Sequence, residues 1–73
     1  MPTWFILMAM DNEKEHTVYN ALCRSKNIQE VHPLFGEWDI LVKVEGETEQ
    51  IIETINKEIK MDGVLSTKTL RGL

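Results

Sequence analysis

Residues 3 to 10, TWFILMAM, carry apolar groups on both alternating sets: Trp4, Ile6, Met8 and Met10 on one, Phe5, Leu7 and Ala9 on the other. Successive side chains of a strand point to opposite faces, so this run must be covered twice. A chain of 73 residues is one small domain, residues 1 to 73. A core of that size nets only about 3 to 5 kcal/mol unless a disulfide, a metal or a partner adds to it. Cys23 is the only cysteine and cannot form an internal disulfide, which fits a reducing cytoplasm. Association is the remaining way to cover the second face. The apolar run is too short for a membrane span and lacks a basic flank. Lys and Arg are scattered through a chain of net charge −4, so no basic footprint meets a phosphate backbone. Neither a membrane nor a nucleic acid is expected as a direct partner.

Polarity rises at DNEKEH, where Asn12 and Glu15 have the spacing of a capping box. Val18, Ala21, Leu22 and Ser25 then recur at helical spacing, and Asn27 is suited to end the helix in a left-handed conformation. IQEVHPLF is strand-like, but Pro33 cannot donate to a ladder and belongs at a sheet edge. WDILVKVE alternates, with Trp38, Ile40, Val42 and Val44 on one face and Asp39, Leu41, Lys43 and Glu45 on the other. A second helix follows, with Ile51, Ile52, Ile55 and Ile59 as its apolar stripe and Gly63 as its C-cap. Val64, Thr67 and Thr69 favour a fourth strand.

The order βαββαβ predicts an α+β, ferredoxin-like sandwich: a four-stranded antiparallel sheet with two helices on one face. Strands one and three are central and strand two is at an edge. The helices cover one face only, so dimerisation through the sheet is expected to cover the other.

Gly36 and Glu37 suit a two-residue hairpin loop of type II′. Phe35 then faces Trp38, Leu34 faces Asp39, Pro33 faces Ile40 and His32 faces Leu41. This register puts Phe35 and Trp38 on the side of Ile40 and Val42, and His32, Leu34 and Asp39 on the side of Leu41. Asp39 has two readings. Its carboxylate can satisfy nearby backbone amides, or it can take an ammonium group while free turn amides take a carboxylate, which is the chemistry of an amino-acid site.

The segment from IQEVHPLF through GEWDILVKVE to GVLSTKTL resembles the effector-binding, amino-acid-metabolism-regulating (RAM) domain of the Lrp/AsnC transcription-regulator family. The resemblance rests on a Gly-x-aromatic-Asp turn, here Gly36, Trp38 and Asp39, and a Gly-Val-x-x-Thr-x-Thr strand, here Gly63, Val64, Thr67 and Thr69. It covers essentially the whole chain. It implies a ferredoxin-like protomer that dimerises through its sheet, assembles as a ring of dimers, and binds amino acids or related effectors in crevices between dimers. By position it implies backbone amides from Gly36 and Trp38, an acceptor from Asp39 and hydroxyls from Thr67 and Thr69. The register, not the resemblance, adds His32, which shares the expected face of Asp39 and is a candidate contact to a ligand or a second subunit. The family aromatic is usually tyrosine, so Trp38 loses a hydroxyl, and Phe35 is bulkier than the usual residue before the glycine. The helix-turn-helix that usually precedes this domain is not in the sequence, which therefore resembles a stand-alone form acting with a full-length regulator.

Rival chemistries fare less well. His16 and Cys23 are seven residues apart on one helix, about 10 Å at 1.5 Å rise per residue, too far to share a metal. No strained nucleophile turn surrounds Cys23, which reads as a buried, inert thiol. No catalytic group, metal or cofactor is expected. A small ferredoxin-like enzyme would need a roomy pocket between sheet and helices, where Val18, Leu22, Ile51, Ile55 and Ile59 are expected to pack. A purely structural assembly module remains the alternative to a sensing one.

Overall fold

In the computed structural model, which describes residues 2–72, TWFILMAM forms β1, Thr3–Met10. It is followed by α1 (Glu15–Arg24), β2 (Glu30–Pro33), β3 (Ile40–Glu45), α2 (Thr48–Thr54) and β4 (Val64–Arg71). The four strands make one antiparallel sheet of order β2-β3-β1-β4. This is the ferredoxin-like α+β arrangement, with β1 and β3 central and the Pro33 strand at an edge.

The core lies on one face of that sheet. Ile6 and Met8 of β1 and Val42 of β3 have no exposed surface, and Val18, Leu22, Ile51 and Ile59 of the helical layer close over them. The other set of β1 residues, Phe5, Leu7 and Ala9, is only partly covered. Cross-strand pairing puts Leu41 and Lys43 of β3, His32 and Glu30 of β2, and Lys68 and Leu70 of β4 on that same open face.

The helices start and stop differently from the sequence expectation. No side-chain cap forms at Asn12; Asp11 organises the entry instead, its Oδ1 accepting from the Glu13 N–H at 3.0 Å and its carbonyl from the Lys14 N–H at 2.9 Å. α1 ends at Ser25 in an extended conformation, and Asn27 does not adopt positive φ. Asn27 donates instead to Glu58 Oε2 at 2.8 Å, while Ser25 Oγ donates to Glu58 Oε1, so one carboxylate ties the exit of α1 to the second helical segment.

α2 begins with a capping box between Glu47 and Gln50. It runs directly into a π-helical turn, Ile55–Ile59, in which the Lys60 N–H reaches back to the Ile55 carbonyl at 2.9 Å. Residues four apart drift by about 40° around an α-helix. The wider turn counters that drift, and Ile51, Ile55 and Ile59 all stay in the core. Ile52 does not: it is 45% exposed, so the stripe is narrower than expected. Cys23 is exposed, which corrects the expectation of a buried thiol.

Gly63 lies beyond the helical C-cap, Lys60, in the turn that leads into β4. Its φ is +99°, and a Cβ there would meet the Lys14 Cβ at 2.7 Å. Its carbonyl accepts from the Asp11 N–H at 2.8 Å, joining the two helix-flanking loops. Gly63→Ala is expected to destabilise the protein by roughly 2 kcal/mol or more, combining left-handed strain with a backbone-level clash; the shift of the urea midpoint at constant m-value measures it.

Candidate functional site

The hairpin between β2 and β3 follows the expected register. Pro33 pairs with Ile40 and His32 with Leu41, and the Leu34 N–H donates to the Asp39 carbonyl at 2.8 Å. The ladder stops there, and the tip is wider than a two-residue turn: β2 ends at Pro33 and β3 starts at Ile40. Gly36 has φ +116°, in the region that favours glycine. Phe35 does not pack beside Trp38 on the helix side; it is fully exposed, whereas Trp38 is partly covered. Among the described residues, neither the Gly36 nor the Trp38 N–H has a hydrogen-bond acceptor.

Asp39 breaks step with the sheet. Met8 is the register partner of Ile40, yet its carbonyl accepts from the Asp39 N–H at 2.9 Å, one residue out of phase. The Met10 N–H is thereby diverted from the ladder to Asp39 Oδ2 at 2.7 Å. The period-two rule assigned Asp39 to the open face with His32. Because of the offset, its side chain instead turns along the end of β1 and lines a crevice under α1.

That crevice has a volume of about 410 Å³. Asn12, Glu15, His16 and Tyr19 of α1 and its entry line one wall, and Pro33, Asp39 and Ile40 the other. His16 Nε2 lies 3.2 Å from Asn20 Nδ2, so the ring is oriented by its own helix. Two carboxylates, Glu15 and Asp39, share the space with a phenol and an imidazole. Asp39 has one oxygen on Met10 and its other without a partner among the described residues. The chemistry on offer is recognition of a cation or ammonium group beside an apolar wall, with the unpaired Gly36 and Trp38 amides in the loop that precedes Asp39. The α1 residues were not predicted as site residues. Their signal was present, since positions 12, 15, 16 and 19 have helical spacing, but the sequence offers Glu15 only as part of a capping box and His16 only as a rejected metal partner of Cys23.

The other expected site residues lie elsewhere in the protomer. His32 is on the open face, its Nε2 2.8 Å from Glu30 Oε1, while Lys43 Nζ donates to Glu30 Oε2 at 3.2 Å. Those two partners, His32 first, hold the Glu30 carboxyl below its usual range. Thr67 and Thr69 pair with Met8 and Ile6 across β1, on the helix side of the edge strand β4. Two strand spacings, about 9 to 10 Å, separate β4 from β3, so these hydroxyls do not meet Asp39 within one chain. A second crevice of about 320 Å³ lies at the far end of β3. Several of its polar groups are already engaged: Gln29 Oε1 accepts from the Glu45 N–H at 2.7 Å, and Thr54 Oγ1 donates to the Gln50 carbonyl at 3.0 Å. No group of three or more metal-ligating side chains occurs among the described residues.

No protein-family model and no curated protein matches the chain. Solved structures do. The crystal structure of FFRP-DM1 superposes with a TM-score of 0.92 at 32% identity, covering 100% of both chains. The chain belongs to the Lrp/AsnC family. It has the fold of that family's RAM domain: AsnC of E. coli matches with a TM-score of 0.87 at 20% identity, over 99% of this chain and 50% of AsnC. The transcriptional regulator NMB0573 of Neisseria meningitidis, solved as a complex with L-Met, shares the fold with a TM-score of 0.84 at 13% identity, over 99% of this chain and 49% of its own. The chain thus spans about half the length of these two regulators. No helix among the described residues is long and apolar enough to cross a membrane.

The Asp39–Met10 bond gives this RAM-type domain a testable dependence. Asp39→Ala leaves a β1 amide without its acceptor and is expected to cost about 1 to 3 kcal/mol, whereas Asp39→Asn keeps an oxygen there and is expected to cost less. Urea unfolding of the two variants side by side measures the difference.

Proposed function

We propose that this chain is a non-catalytic sensing and oligomerisation module of Lrp/AsnC type. It binds an amino acid or related small effector, acts as one ligand-binding domain, and modulates transcription regulation or amino-acid metabolism in the cytoplasm together with a full-length regulator. The observation that carries this reading is the Asp39 carboxylate, which lines the crevice with one oxygen on the Met10 amide and the other without a partner among the described residues, and which follows directly on the loop of the unpaired Gly36 and Trp38 amides. An α-amino acid has the matching groups: an ammonium for Asp39, a carboxylate for the loop amides, and a side chain for the wall of Pro33 and Ile40. The L-Met complex of the NMB0573 regulator supports this choice of ligand class.

The assembly is part of the reading. Phe5, Leu7, Ala9, Leu41 and Leu70 leave an apolar centre on the open sheet face, and a sheet-to-sheet dimer covers it. A ring of such dimers brings a neighbouring copy to the crevice. Thr67 and Thr69 join the site only from such a neighbour, and His32 belongs to the dimer face.

A structural module is the second reading, and it also rests on an observation: Asp39 already has a job in holding the end of β1. Asp39→Asn separates the two, because it keeps the acceptor for Met10 and removes the charge for the ammonium. A thermal-shift screen of the twenty amino acids is expected to find at least one that raises the melting temperature of the wild type and not of Asp39→Asn. A screen with no hit on an intact oligomer rules out amino-acid sensing in favour of the structural module. Leu41→Glu places a charge in the middle of the open face and is expected to convert the dimer to monomer in sedimentation velocity, with the fold retained by circular dichroism.

A further inference from the structure

The crevice under α1 is unbalanced in charge. Glu15 on one wall and Asp39 on the other are both carboxylates, and no lysine or arginine is among the residues that line it. Neither carboxylate takes part in an ion pair among the described residues. The ammonium next to Glu15 in sequence, that of Lys14, is 2.6 Å from Asp62, and Lys14 is not part of the lining. His16 adds no compensation: Asn20 Nδ2 can only donate, so His16 Nε2 is the acceptor and the ring is uncharged in this arrangement. Glu15 is partly buried in the first turn of α1. The helix dipole favours a carboxylate there but does not give it a partner.

An α-amino acid with an uncharged side chain has no net charge. Its ammonium matches Asp39 and its carboxylate the loop amides, and Glu15 is left beside the ligand, shielded from water and without a counter-charge. Taking a carboxylate out of water unpaired is costly. We infer that the effector is an amino acid with a cationic side chain, whose second ammonium or guanidinium pairs with Glu15; this rests on the amino-acid site proposed above. The methylene stem of such a side chain lies along Pro33 and Ile40, and its charged end reaches the α1 wall. Tyr19 is one turn after Glu15, about 6 Å further along the same helix face, and offers its ring to the cation. Two positive groups then meet two carboxylates. The Thr67 and Thr69 hydroxyls that a neighbouring copy adds leave this balance unchanged. Glu15 selects the side chain, while Asp39 takes the ammonium that all α-amino acids share.

Isothermal titration of the wild type at low salt tests the inference. The ligands are lysine, arginine, norleucine, which has the stem of lysine without its ammonium, and 1,5-diaminopentane, which has both ammonium groups of lysine without the carboxylate. The tighter of lysine and arginine is expected to bind about tenfold or more tightly than norleucine. Glu15→Gln keeps the size of the side chain and removes its charge; it is expected to abolish this preference, with norleucine binding at least as well as before. Norleucine that binds as tightly as both basic amino acids, or a preference that survives Glu15→Gln, overturns the inference and leaves an amino-acid site standing. A diamine that binds as tightly as lysine also overturns it, because the ligand carboxylate then contributes nothing. The underlying reading fails in a different way: no binding of any amino acid to an intact oligomer removes the site and the inference with it.

Discussion

β1 is hydrogen-bonded along both edges and apolar on both faces, and the other elements are arranged around those two facts. The first puts it in the middle of the sheet, between β3 and β4. The second gives the helices their docking surface, since Ile6 and Met8 are sealed by Val18, Leu22, Ile51 and Ile59. It also leaves Phe5 and Leu7 partly uncovered, because a chain this short has two helical segments and both lie on the same side. A small core with an unfinished second face is what the proposed sheet-to-sheet dimer would complete. The association attributed to this chain thus follows from the same strand that organises the fold.

The end of β1 is also where fold and candidate site meet. The ladder between β1 and β3 slips by one residue at Asp39, and the carboxylate replaces a backbone carbonyl as acceptor for Met10. The slip does two things together. It holds the strand end, and it rotates a charged group out of the sheet pattern into the crevice beneath α1. Under the proposed function, stability and recognition are linked at this one residue, and only a substitution that keeps an acceptor while removing the charge can separate them.

Much of the architecture was legible because it depends on periodicity. The alternation in β1 and β3, Pro33 as an edge marker and the helical spacing of Val18, Leu22, Ile51 and Ile55 sufficed for the element order, the strand order and the pairing of Pro33 with Ile40. The departures are all places where a single side chain was free to choose among partners. Asn27 took the Glu58 carboxylate instead of a left-handed cap, a contact spanning 31 positions. Ile52 was excluded from the core because a π-helical turn kept Ile55 and Ile59 aligned without it. Phe35 turned outward once the hairpin tip opened beyond two residues. Family resemblance selected the Gly36–Asp39 loop but not the α1 wall opposite it, since Asn12, Glu15, His16 and Tyr19 belong to neither of the motifs that carry the resemblance.

By itself the sequence determined the ferredoxin-like layout and the apolar character of both faces of β1, because these follow from where apolar groups recur. Only the tertiary structure decided which way Asp39 points, which helix completes its crevice, and that Thr67, Thr69 and His32 lie apart from it within one chain. The physical reason is one of scale. Repeating patterns are set by many residues acting together against water, while the direction of one carboxylate is set by a single hydrogen bond to an amide 29 positions away, and no local pattern encodes that.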